Sequence, residues 1–237
     1  MPAVLVHGVP DTPEMWAPVV ARLARDDVVC PRLPGFGSPI PDGFGCTKDE
    51  NADWLIGELV AIGGPIDLVG HDWGSLLAQR VATTRPELLR SWVLADGAVS
   101  ELFRWHELAT QWQTPDVGEQ IMELMTPEAV AAALGEAGHP DPAGAAGRAD
   151  DPMKQAILGL YRSAVDIAVE WTPQPGVETP PALVLWGARD PYGPPAYGRA
   201  AAERVGAPFR ELDAGHWAPA ERPAEAAAAL DEFCSGC

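Results

Sequence analysis

Val69-Gly70-His71-Asp72-Trp73-Gly74-Ser75 is the stretch on which the fold turns. Ahead of it, Gly64-Pro65-Ile66-Asp67-Leu68-Val69 is a short apolar run opened by breakers, the pattern of a buried strand. Behind it, Leu76-Leu77-Ala78-Gln79-Arg80-Val81-Ala82 has helical composition. Asp72 therefore falls on a tight strand-to-helix turn between Gly70 and Gly74. A turn that sharp holds its central residue near positive φ and leaves no room for flanking side chains. An Asp there either caps the following helix or presents its carboxylate above the turn. Ser75 lies inside the first helical turn, away from the apex.

Outward from this turn, strand patterns alternate with helix patterns. Residues 3–6 read as a buried strand, followed by His7-Gly8-Val9-Pro10 and a helix start at Asp11-Thr12-Pro13. A helix through 19–23, a strand over 27–30, a breaker-rich loop over 31–38 and a helix over 48–62 come next. Residues 91–96, 181–187 and 207–212 are further strands, with helices ending the segments 193–205 and 222–233. Such alternation indicates a parallel sheet covered on both faces. Between residues 98 and 178 it stops. Helices are expected there over 101–113, 117–125, 127–134 and 153–171, with a mobile loop over the Ala-, Gly-, Pro- and Asp-rich residues 135–151.

Composition narrows the function. A chain of 237 residues, 47% hydrophobic, suits one domain carrying an insert. A formal charge of −18 argues against nucleic acid and anionic membrane surfaces as partners. No apolar run is long enough to span a membrane, and the first residues read as strand, so a cytoplasmic location is expected. The five histidines lack metal-ligand spacing; no metal and no cofactor are expected. Cys234-Ser235-Gly236-Cys237 has no second pair and reads as a tail.

Gly70-His71-Asp72-Trp73-Gly74 as a unit resembles the nucleophile elbow of the α/β-hydrolase superfamily. Within it, the closest pattern is the Asp-nucleophile branch of epoxide hydrolases and haloalkane dehalogenases. The resemblance implies an α/β-hydrolase fold: a mostly parallel sheet of about six strands with helices on both faces. It implies a core of residues 1–97 and 179–237 and a helical cap over 98–178, between the family's sixth and seventh strands. The antiparallel hairpin that usually opens this fold is expected to be missing, since the first strand begins at residue 3. The shortened sheet edge would then need cover or a partner, which makes a homodimer possible.

A carboxylate at the elbow can attack carbon and form an alkyl-enzyme ester, which water then cleaves. The backbone N–H groups of Val9 and Trp73 are the expected oxyanion-hole donors. The water needs a base, and His216, after the last strand in Asp213-Ala214-Gly215-His216-Trp217, suits the task. Asp190, in Trp186-Gly187-Ala188-Arg189-Asp190, is expected to orient His216, with Asp96 as its rival. Turn chemistry alone would account for Asp96-Gly97. The order Asp72, Asp190, His216 is that of nucleophile, acid and base in this fold. His7 is expected to order its own loop, His71 to pack within the elbow, and His139 to be a bystander.

The leaving group separates two reactions. An epoxide oxygen needs a proton, which a tyrosine can supply; a halide needs polarised N–H donors. Tyr161, in Leu160-Tyr161-Arg162-Ser163, resembles the cap tyrosine of epoxide hydrolases, although the pattern also suits a packing tyrosine. The insert holds no second tyrosine, so a second donor either comes from Tyr192, Tyr197 or the candidate pocket residues Trp105, His106 and Trp112, or is missing. Trp73 with Trp105 or Trp112 would instead cradle a halide. The reading is hydrolysis of a small apolar epoxide to a diol. Haloalkane dehalogenation with the same triad is the alternative. Outside hydrolysis, the fold also hosts small-molecule binders and cofactor-independent lyases.

Overall fold

The computed structural model describes residues 1–237. Six strands form one sheet: β1 (Ala3–Val6), β2 (Val28–Val29), β3 (Ile66–His71), β4 (Leu89–Ala95), β5 (Ala182–Gly187) and β6 (Phe209–Leu212). Their order is β2-β1-β3-β4-β5-β6, and every pairing is parallel, so the sheet is wholly rather than mostly parallel. Parallel strands require crossovers that cover both faces. Accordingly β1, β3 and β5 are buried along their whole length. The edge strand β2 shrinks to two residues, with Val29 exposed.

The crossovers and the C-terminal segment supply α1 (Ala17–Val20), α2 (Lys48–Ile62) and α3 (Trp73–Thr84) before β4. Thr47 opens α2 with a capping box, its side chain accepting from Glu50 N–H while the Glu50 carboxylate accepts from Thr47 N–H. Between β4 and β5 lie α4 (Glu107–Gln113), α5 (Val117–Leu124), α6 (Pro127–Glu136), α7 (Pro142–Arg148), α8 (Asp151–Arg162) and α9 (Ile167–Glu170). After β5 come α10 (Pro195–Val205), α11 (Ala218–Glu221) and α12 (Pro223–Ser235). No helix is long and apolar enough to cross a membrane.

Two apolar clusters lie on either side of the sheet, and the insert packs on both. Ile157, Leu160 and Tyr161 of α8 join Leu55, Leu77, Trp92 and Trp186 in one cluster. Val130, Leu134, Ala145 and Ala146 of α6 and α7 join Trp16, Leu183, Trp217 and Leu230 in the other.

The insert departs from the sequence pattern in three places. The helix expected over 101–113 starts only at Glu107, where His106 is its N-cap. The helix expected over 153–171 divides into α8 and α9. Residues 135–151 are not a structureless loop: Asp141 caps α7 by accepting from Gly144 N–H, and Ala145 and Ala146 are buried.

Candidate active site

Asp72 leaves β3 with φ 51° and ψ −118°, the strained apex that the flanking glycines permit. A Cβ on Gly74 would stand 2.2 Å from the Val6 carbonyl oxygen; one on Gly8 would stand 2.3 Å from Asp72 Oδ1. Bare backbone at these two positions lets the loop after β1 close over the carboxylate. Val9 N–H then donates to Asp72 Oδ1 at 2.7 Å. Trp73 N–H opens α3, where the first N–H groups have no intrahelical acceptor and the dipole favours an anion. Ser75 is buried and occupied: its hydroxyl accepts from Ala95 N–H and donates to Gly70 O at 2.7 Å.

The other oxygen, Asp72 Oδ2, faces His216 Nε2 at 3.5 Å. On the far side of that ring, Nδ1 meets Asp190 Oδ2 at 3.0 Å. Asp190 is in turn oriented by the Tyr192 and Gly193 N–H groups, which donate to its Oδ1 at 2.8 and 3.1 Å. Asp96 does not hydrogen-bond His216. Its two oxygens accept from Gly187 N–H at 2.6 Å and Ala218 N–H at 3.0 Å, joining the end of β5 to the start of α11. His71 Nε2 donates to the His216 carbonyl at 2.8 Å, which pins the backbone of that loop. His7 orders its own loop: Nδ1 donates to Gly8 O while Nε2 accepts from Leu33 N–H.

Burial opposes charge on these groups, yet their mutual contacts outweigh it for two of them. Desolvation acts to lower His216, but the Asp190 carboxylate and then Asp72 hold it well above the usual imidazole range. Desolvation acts to raise Asp72, but contact with His216 and the Val9 N–H keep it below the ordinary carboxylate value. Both directions favour a carboxylate facing an imidazolium. Asp96 goes the other way: burial, with the nearby Asp190 charge, pushes it well above its usual range.

A cavity of about 280 Å³ opens above Asp72 and His216, lined by 17 residues of which 13 are hydrophobic. No Lys or Arg is among them. Val9, His106, Trp112, Tyr161 and Tyr192 all line it. Tyr161 is 2% exposed, its ring enclosed by Trp73, Trp105 and Trp112 at centroid distances of 5.3, 5.1 and 4.9 Å. Burial, and then the Asp72 charge, hold its phenol well above the usual range, so it stays protonated. His106 accepts from Ala109 N–H through Nδ1, and burial lowers its pKa, leaving a neutral ring beside Tyr192.

Trp105 departs from its expected place. It lines not this cavity but an adjoining space of about 40 Å³ that shares Asp72, His106, Tyr192 and His216 with it, and its indole N–H donates to Ala164 O at 2.9 Å. Tyr197 borders that smaller space as well. By contrast, the buried indole N–H groups of Trp73 and Trp112 meet no acceptor. No cluster of His, Cys, Asp or Glu is arranged to hold a metal ion.

Sequence reasoning passed over part of the cavity wall. Leu108, Ile121, Leu124, Met125, Ala129 and Ala133 line it from α4, α5 and α6. On an amphipathic helix a cavity-lining face has the same periodicity as a core-facing one, so no signal marked them. His139 is not a bystander: it is buried, with Nε2 3.1 Å from Asp11 Oδ1.

Comparison with known proteins agrees with the fold. Residues 3–230 match the Alpha/beta hydrolase family. The AB hydrolase superfamily protein YfhM of Bacillus subtilis is 26% identical over 212 residues, covering 80% of this chain and 73% of its own. The (E)-2-((N-methylformamido)methylene)succinate hydrolase of Acinetobacter baylyi is 29% identical over 112 residues, 46% of this chain; the match spans less than half, 43%, of that relative. Among solved structures, haloalkane dehalogenase DbeA from Bradyrhizobium elkani superposes with a TM-score of 0.83 at 21% identity, covering 99% of this chain and 90% of that one. A thermophilic esterase from Thermogutta terrifontis gives 0.79 at 23% identity, covering 100% and 90%. At such identities the structures speak for the fold alone. With the family match running through all six strands, from β1 to β6, the chain belongs to the alpha/beta hydrolase family.

Proposed function

We propose that this hydrolase opens a small, neutral, apolar epoxide to a diol through a covalent ester on Asp72. The observation that carries the reading is that Asp72, His216 and Tyr161 line one apolar cavity. The helices of residues 98–178 act as a cap that encloses it. Asp72 Oδ2 attacks an epoxide carbon as the ring C–O bond breaks, and the Tyr161 hydroxyl gives its proton to the leaving oxygen. Tyr192, on the loop that carries Asp190, is a second donor to that oxygen.

Alkylation removes the Asp72 charge, one of the two that support the His216 cation. The imidazolium then passes its proton, by way of water in the cavity, to the phenolate left at Tyr161 and becomes a base. It takes a proton from water; the hydroxide adds to the ester carbonyl, whose Oδ1 is already held by Val9 N–H at 2.7 Å. Losing one such donor costs about 3 kcal/mol of transition-state stabilisation. Collapse releases the diol and restores Asp72. Asp190 keeps the ring hydrogen on Nδ1 throughout.

An Asp at the apex also bears on the esterase likeness. Attack on an acyl carbon would leave an anhydride on Asp72, whereas attack on an alkyl carbon leaves an ester. That enzyme's substrates are therefore not carried over. A second reading, haloalkane dehalogenation on the same triad, is favoured by the unpartnered indole N–H groups of Trp73 and Trp112.

Incubation of His216→Gln with epoxides and haloalkanes, followed by mass spectrometry, tests the reading. Ester formation needs no base, so the variant should accumulate an adduct on Asp72. Diol from the wild type supports the first reading and free halide the second. Turnover in ¹⁸O-water that leaves Asp72 unlabelled would sink both.

A further inference from the structure

We infer that Asp11 and His139 are positioning residues, through which one buried carboxylate sets the oxyanion donor, the base and the cavity wall as a unit. This rests on reading Asp72 as nucleophile and His216 as base. Asp11 has no exposed surface, and each of its oxygens is held by a different segment. Oδ2 accepts from the Trp217 indole N–H at 2.8 Å; Oδ1 meets His139 Nε2 at 3.1 Å. His139 Nδ1 accepts from Asp141 N–H at 2.9 Å, so the ring hydrogen lies on Nε2 and is donated to Asp11.

Each partner stands next to a group that the reaction uses. Asp11 N–H donates to Gly8 O at 3.1 Å, closing the turn that carries Val9 and aiming its N–H at Asp72. Trp217 directly follows His216, and its ring meets the His216 and His139 rings edge-on at 5.1 and 4.6 Å. His139 belongs to the joint between α6 and α7, and Val130, Ala133 and Leu134 of α6 are cavity wall. A shift of the insert is thus transmitted through a single carboxylate to both groups needed for ester hydrolysis. Ester formation uses the Val9 N–H only to hold Asp72 and does not use His216 as a base, so hydrolysis should respond more strongly than ester formation.

The test compares Asp11→Asn, His139→Ala and His139→Gln with the wild type in single-turnover reactions with an epoxide. An Asn amide turns one acceptor into a donor that faces a fixed N–H, and Ala removes the link to the insert. In both, ester formation should stay within about threefold while ester hydrolysis slows about tenfold or more, the scale of a small misplacement of reacting groups. Gln carries an amide nitrogen to the Nε2 position and should restore hydrolysis. If Asp11→Asn does not fold, the two His139 variants carry the comparison. Hydrogen exchange over residues 127–148 is read in parallel: faster in His139→Ala, restored in His139→Gln. Unchanged hydrolysis in folded Asp11→Asn and His139→Ala, or unchanged exchange in His139→Ala, overturns the inference. A wild type that forms no ester with any epoxide or haloalkane overturns the nucleophile reading instead, and the exchange measurement still decides the linkage.

Discussion

The sheet and the inserted helices hold their reactive groups by different means. Asp72 and Asp190 sit on turns after β3 and β5, each fixed by backbone N–H groups: Val9 for the first, Tyr192 and Gly193 for the second. His216, after β6, is fixed by Asp190 and by His71 on its own carbonyl. Tyr161 has no comparable tether. It lies near the end of α8, and its ring is placed by indoles from three other segments. Groups set by backbone should tolerate changes in surrounding side chains, whereas a group set by packing should move when its neighbours are trimmed.

Asp190→Asn should break the backbone-fixed side most severely. The amide no longer fixes the Nδ1 hydrogen or supports the cation, and ester hydrolysis should fall roughly 10²–10⁴-fold. The sign of the accompanying pH shift follows from the charges. Asp190 is the leading influence that raises His216, so removing it makes the cation less favourable and lowers the pKa. Hydrolysis needs the neutral ring; its rising limb should therefore move to lower pH even as the plateau drops. Single-turnover hydrolysis rates across pH check this, and a limb that stays or moves up would remove Asp190 as the charge partner.

What could be read from residues alone follows the same division. The elbow, the Val9 loop, Asp190 and His216 were legible because strand, glycine and turn chemistry act over a few neighbouring positions. The choice of Asp190 over Asp96 was not decidable locally, since both follow strands and both suit turns. Structure separates them by what the oxygens meet: a ring nitrogen for one, two backbone N–H groups for the other. In the insert, Tyr161 and Trp112 line the large cavity, while Trp105 borders the adjoining small one and is hydrogen-bonded to Ala164. α6 was expected, but α7 was misread as part of a loop over 135–151, because alanine and glycine suit a short packed helix as readily as disorder. His139 left no trace, because its partner lies 128 residues away.

Tyr161→Phe keeps the ring and its packing and removes only the hydroxyl. Epoxide opening should slow about tenfold or more, as loss of a proton donor does, with little change in stability. Ester hydrolysis in the same variant should be nearly unchanged, since the hydroxyl is not needed once the ring has opened. Burst kinetics with an epoxide separate the two steps. Haloalkane cleavage that exceeds epoxide opening and is indifferent to this substitution would move the assignment to the dehalogenase reading.

Trp105→Phe carries the smallest expected effect and tests how far packing, rather than contact with substrate, places Tyr161. The indole stacks on Trp73 at 5.5 Å and donates to Ala164 O at 2.9 Å. Phenylalanine keeps part of the stacking surface but leaves the Ala164 carbonyl without that donor. Denaturant unfolding should show a loss of about 1–2 kcal/mol. Epoxide opening should fall by less than in Tyr161→Phe, because the hydroxyl is still present but less firmly held. If the rate fell as far as in Tyr161→Phe with stability intact, Trp105 would have to touch the substrate. That would shift the reaction from the large cavity to the adjoining small one that Trp105 borders.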